Sequence, residues 1–122
     1  MKIFDSLGKY NFVDEKNVFV GFDSSPSCCE SYGYFLSSEQ PKHGDDRSHE
    51  VPEENLHNFN FVTDYFKEIP EGEYVDAGGA ATFKLNDGGR DLFLTIFNSH
   101  NGYYSHGFEM IVDQEIFRSG SL

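Results

Sequence analysis

Asp91–Val112 reads DLFLTIFNSHNGYYSHGFEMIV, and the fall of its apolar residues decides the fold class. In the first half Leu92, Leu94 and Ile96 point one way, and Phe93, Thr95 and Phe97 the other. Two largely apolar faces describe a strand covered on both sides, and so one in the middle of a sheet. In the second half Tyr104, His106, Phe108, Met110 and Val112 share one face. Ser105, Gly107, Glu109 and Asp113 dominate the other, with Ile111 as the exception. That period of two marks a strand with one buried and one wet side. With a tight connection at Ser99–Gly102, the two halves are expected to form a hairpin.

Upstream, NDGGR at Asn86–Arg90 is the strongest short turn signal in the chain. Phe83 and Leu85 alternate with Lys84 and Asn86 before it, so a strand is expected there. AGGAA at Ala77–Ala81 reads as a flexible or close-packed bend, and Pro70–Gly72 as a turn. Asn58–Ile69 fits either period, but its aromatic and β-branched content favours a strand through Asp64. Tyr10 and Phe12, then Val18, Val20 and Phe22, alternate about a polar turn at Asp14–Asn17, which predicts a second hairpin. Pro26, in SSPS at Ser24–Ser27, ends it. Cys28–Ser38 is read as a strand in which Gly33 marks a bulge or the close approach of a neighbour. Lys2–Leu7 is read as a helical turn or irregular lead-in, and Arg118–Leu122 as a frayed tail.

These elements predict one domain over residues 1–122. It is mainly β, an antiparallel sandwich or strongly curved sheet, with an α+β variant left open by one or two short helices. Glu39–His57 interrupts the pattern as an acidic loop or insertion with two Pro, one Gly and almost no apolar residues. Such loops are usually functional or disordered. A short helix starting at Pro52 is expected within it, since Glu53 and Glu54 suit the positive end of a helix dipole.

Charge narrows the function classes. Nine Lys and Arg against 21 Asp and Glu give a formal net charge of −12 on 122 residues. Such a surface repels phosphate backbones and attracts basic proteins, so direct nucleic-acid binding is disfavoured. No run of eighteen apolar residues is present, and MKIFDSLGKY at the start lacks the apolar core of a signal peptide. A cytoplasmic protein without a membrane segment is the expectation. The two cysteines, Cys28 and Cys29, are adjacent, which strains a bridge between them, so two reduced thiols are expected. The pair lacks metal-ligand spacing and the five His are scattered, so neither a metal site nor a cofactor is expected.

CCES at Cys28–Ser31 and NGYYS at Asn101–Ser105 together resemble a family of small uncharacterised bacterial and phage-borne domains. Members of that family pair a CCE motif with a C-terminal SNGYYS-type motif. The chain departs from the pattern at Ser27, where an acidic residue is usual, and at His106, which follows NGYYS in place of an acidic residue. The resemblance implies one compact β domain and supplies no catalytic role.

Chemistry, if present, would gather at Cys28, Glu30 and His106, where a Glu–His contact could move a proton near neutral pH. A hydrogen-bonded His106 on the buried face, with Glu30 as its partner, explains the same residues more simply. No nucleophile with an oriented base is evident, and Gly78–Gly79 and Gly88–Gly89 lack phosphate-loop spacing. The pattern therefore points away from an enzyme. A small acidic domain of this type suits an immunity-protein-like inhibitor of a basic toxin or nuclease. The alternatives are a phage or mobile-element accessory protein that mimics DNA, and a small-ligand or enzymatic module at Cys28, Glu30 and His106. The inhibitor would meet its partner through Asp45, Asp46, Glu50, Glu53 and Glu54 in the loop, and Glu68, Glu71, Glu73 and Asp76 beyond it. Charge at Asp5, Asp14, Glu15 and Asp23 is expected to matter less.

Overall fold

Among the described residues, ten antiparallel strands build two five-stranded sheets. The computed structural model describes residues 1–24, 31–44, 46–69, 79–99 and 106–122, without the side chains of Ser31 and Ser99. In chain order the strands are β1 (Lys2–Ser6), β2 (Lys9–Val13), β3 (Val18–Asp23), β4 (Ser31–Ser37), β5 (Glu50–Val51), β6 (Asn60–Ile69), β7 (Gly79–Asn86), β8 (Asp91–Ser99), β9 (Gly107–Val112) and β10 (Glu115–Ser121). The first sheet runs β1-β2-β3-β9-β10 and the second β5-β4-β8-β7-β6. This is a β sandwich. No described residue is helical, so the described residues contain no helix long and apolar enough to cross a membrane.

Alternation sets the core. Phe12, Val20, Phe22 and Met110 from the first sheet meet Leu36, Phe83, Leu85, Leu92, Leu94 and Ile96 from the second, all essentially without exposed surface. Central β8 is buried on both faces as its pattern predicts: Leu92, Leu94 and Ile96 face the core, and Phe97 joins Phe35 and Ala80 in a second cluster outside it. The β2–β3 hairpin and the β7–β8 hairpin at NDGGR also form as expected. In the latter, Gly89 and Arg90 donate their amides to Asp87 Oδ1 at 3.0 and 2.7 Å.

The expected Asp91–Val112 hairpin is absent. β8 pairs with β4 and β7, and β9 pairs with β3 and β10, so the two halves lie in different sheets. Both hydrogen-bonding edges of each strand are taken by other partners, and a local turn signal carries no information about that competition. Four further expectations are corrected. Lys2–Ser6 is an edge strand and not a helical turn, because its backbone pairs with β2. Glu115–Ser121 is a strand and not a frayed tail, paired with β9 through a bulge between Ile116 and Arg118. Gly79–Ala81 lies inside β7, where the small side chains of Ala80 and Ala81 are completely packed. β6 continues past Asp64 to Ile69 by shifting register between Val62 and Phe66.

No helix starts at Pro52. Val51 pairs with Leu36, Asn55 adopts φ 59, which a right-handed helix cannot contain, and Leu56 enters the core with Val51 packed against it. The described remainder of the acidic loop forms a roof over the outer face of the second sheet. Gln40 donates to Thr82 Oγ1 at 3.2 Å and accepts from the Tyr65 hydroxyl at 2.6 Å. The Arg47 guanidinium lies 4.8 and 5.3 Å from the ring centres of Phe35 and Phe97. Gly33 faces Phe97, whose ring would meet a Cβ there at 3.4 Å, about an ordinary van der Waals contact.

One carboxylate locks the two sheets together. Asp14, at the β2–β3 turn, is buried and accepts the amides of Lys16 and Val18 on Oδ1 and that of Phe61 in β6 on Oδ2, each at 2.9 Å. Asp14 is therefore a structural residue and not simply part of a polar turn. It occupies the acceptor position for amides of both layers, and a buried amide left without a partner is costly.

Candidate functional site

His106 sits at the pole of the sandwich where β4 and β9 begin. It is fully buried between sheets, stacked on Tyr32 at 4.5 Å between ring centres and tilted against Phe22 at 5.8 Å. Its Nδ1 lies 2.6 Å from the Asp23 carbonyl oxygen. A carbonyl only accepts, so Nδ1 carries the hydrogen. The His106 backbone exchanges two hydrogen bonds of 2.9 Å with Leu122. The ring is thus wedged, bonded and closed to solvent, the arrangement of a core histidine. Strands β4 and β9 do not hydrogen-bond to each other; they face across the interior through Tyr32 and His106. Cys28, Cys29 and Glu30, with the CCES motif, lie outside the described residues, as do Tyr104 and the NGYYS motif. Of that set the structure describes His106 alone.

The acidic residues separate into groups. Asp46 accepts from Lys42 N at 3.0 Å, and from Ser48 Oγ and N at 2.6 and 3.3 Å; these bonds hold its carboxyl down to about 2. Glu50 pairs with Arg47 at 3.6 Å. Both carboxylates serve the roof. Glu53 and Glu54 are exposed on the segment that follows β5. Burial and the Glu53 carboxylate beside it push the Tyr34 phenol upward, so its proton is held toward that acid. Glu68 is exposed on β6, at the opposite edge of the second sheet. Four strand spacings separate those edges, roughly 19 Å, so the described acids do not form one patch. Asp45, Glu71, Glu73 and Asp76 lie outside the described residues, as does the Pro70–Gly72 turn.

A surface that the alternation argument passed over is the outer face of the first sheet. The pairings Val13–Phe19, Phe19–Ile111 and Ile111–Ile116 align four apolar side chains in one row across four strands. Val13, Phe19 and Ile111 are half-buried, and Ile116 is 65% exposed. Phe4 on the same face is 47% exposed and Phe117 at the β10 bulge 52%. A depression of about 370 Å³ opens beside the row, lined by Phe19 and Ile111 with Asn17, Asp113 and Gln114 of the turns. Beyond it Gly21 and Gly107 keep the face low around the Lys9–Glu109 ion pair of 3.0 Å. The sequence carried a faint signal of this row: Phe19 between Val18 and Val20, and Ile111 among polar residues, both break period two.

Comparison with family models, with curated proteins and with solved structures finds no match to this chain.

Proposed function

We propose that this chain is a protein-binding antagonist of a basic partner, of the kind an immunity protein presents to a toxin or nuclease. One observation carries the reading. At a formal charge of −12, Glu53, Glu54 and Glu68 stand exposed around a closed core and have no ion pair among the described residues. Carboxylates so placed cost the fold little and remain available to steer a cationic protein. The enzymatic alternative draws no support from His106, whose ring is enclosed and bonded to backbone.

The test is association with cationic nuclease domains, followed by stopped-flow mixing between about 0.05 and 0.5 M salt, where the Debye length falls from roughly 14 to roughly 4 Å. Association should slow with salt. Changing Glu53, Glu54 and Glu68 to Gln together should slow it about tenfold without altering the melting temperature. A control that amidates Asp5 should change it less; Asp14 is left intact because it is a buried strut, and Glu15 and Asp23 because they border the outer face of the first sheet. Salt-independent binding that is equal in both variants refutes the reading.

A further inference from the structure

Steering charge does not by itself hold a complex together, and we infer that the outer face of the first sheet is where the basic partner seats. The row Val13–Phe19–Ile111–Ile116 is the desolvated centre of that contact. The inference rests on the antagonist reading and adds the docking surface to it.

The geometry comes first. The four side chains are directly opposite one another in register, so they form a continuous strip and not scattered exposed residues. Isolated apolar residues on a surface need no explanation, whereas a strip bordered by polar groups marks a contact. Gly21 helps to shape it. A Cβ there would stand 3.1 Å from Phe19 Cε1 and would push the Phe19 ring by a few tenths of an ångström, so glycine leaves room for the ring along the sheet. The depression beside Phe19 and Ile111 has room for a side chain from outside.

Charge selects the occupant. Glu15, Asp113 and Glu115 are exposed at the two turns that flank the strip, and Lys2, in register with Val13, is exposed at its β1 end. Lys9 on the same face is engaged by Glu109. A second copy would bring −12 against −12. Nucleic acid would meet both the acidic rim and the apolar strip. A protein with a cationic rim around an apolar contact gains on both terms, with the apolar residues as anchors and the charges as rim.

The experiment uses the full chain, labelled with ¹⁵N, and three peptide probes: alternating lysine and leucine, alternating lysine and serine, and alternating glutamate and leucine. The lysine–leucine peptide should shift the amides of Phe19, Ile111 and Ile116 saturably, and the lysine–serine peptide should bind more weakly. Ile116→Ser and Ile111→Ser should each raise the apparent Kd of the lysine–leucine peptide about tenfold. Ile116→Ser, at an exposed position, should melt like the parent. Shifts confined to the neighbourhood of Glu53, Glu54 and Glu68 overturn the docking face while leaving the antagonist reading standing. Failure of both lysine peptides to bind, or equal binding of the glutamate peptide, overturns both. Concentration-dependent shifts at the strip without peptide, together with a dimer in sedimentation, would give the face to a second copy and refute the inference.

Discussion

The two outer faces of the sandwich carry similar apolar material and treat it oppositely. On the second sheet Phe35 and Phe97 lie beneath the 38–50 segment and are 3% and 8% exposed. On the first sheet Phe19, Ile111 and Ile116 form a comparable row, and no described segment covers it. The chain therefore spends a long polar stretch on one face and leaves the other open. Acidic composition made the roof look like the binding element. The structure uses much of its polarity internally, through Gln40, Asp46 and Arg47. Apolar residues under a roof stabilise the fold; the same residues in the open remain available for contact.

That contrast can be broken by measurement. The largest effect expected is on both faces at once. Asp14→Ala removes the acceptor shared by Val18 and Phe61 and should cost about 4 kcal/mol in urea denaturation, since buried amides lose a charged partner. Hydrogen exchange should then rise in both sheets; a rise in one alone would mean that the layers are not coupled through this strut. Next comes a matched pair. Phe97→Ala, under the roof, should cost about 3 kcal/mol, or roughly 10 °C in Tm. Phe19→Ala, on the open face, should cost about 1–2 kcal/mol, because part of its surface never left water. Equal costs would erase the distinction between the faces.

The smallest effect sharpens the comparison through pH. Hydrogen bonds from Lys42 and Ser48 lower the Asp46 pKa from 3.8 to about 2. Its contribution to the roof is therefore complete above about pH 4 and is lost as pH falls toward 2. The amides of Ser38 and Glu50, which bond to His49 O and Arg47 O, should lose exchange protection in that window, before the amides of β3 and β9 do. Asp46→Asn should flatten the dependence. Simultaneous opening of roof and strands would show that the roof is not a separate unit.

Less of the candidate surface than of the fold was legible. The acidic residues could be counted, but their use could not: Asp14 reads as part of a polar turn and Asp46 as a partner contact, and both prove to be acceptors for backbone amides. Ile116 and Phe117 adjoin a segment read as a tail, so the strip could not be assembled before β10 was seen to pair with β9. The type of turn that joins them also escaped detection. Asp113 and Gln114 both take positive φ, 51 and 69, without the Asn-Gly signature that usually announces such a turn.

By itself the sequence determined what local physics governs. Alternation set the buried sides of β2, β3, β7, β8 and β9, Asn86–Arg90 set one hairpin, and composition set the charge. Only the tertiary structure decided which strands share a sheet, that the 38–50 segment covers the second sheet, and that the row from Val13 to Ile116 stays open. The reason is one of range. Side-chain periodicity states which residues share a face, because that follows from backbone geometry within one strand. Whether a face is covered, and which edge a strand fills, depends on competition among segments far apart in the chain, which no single segment encodes.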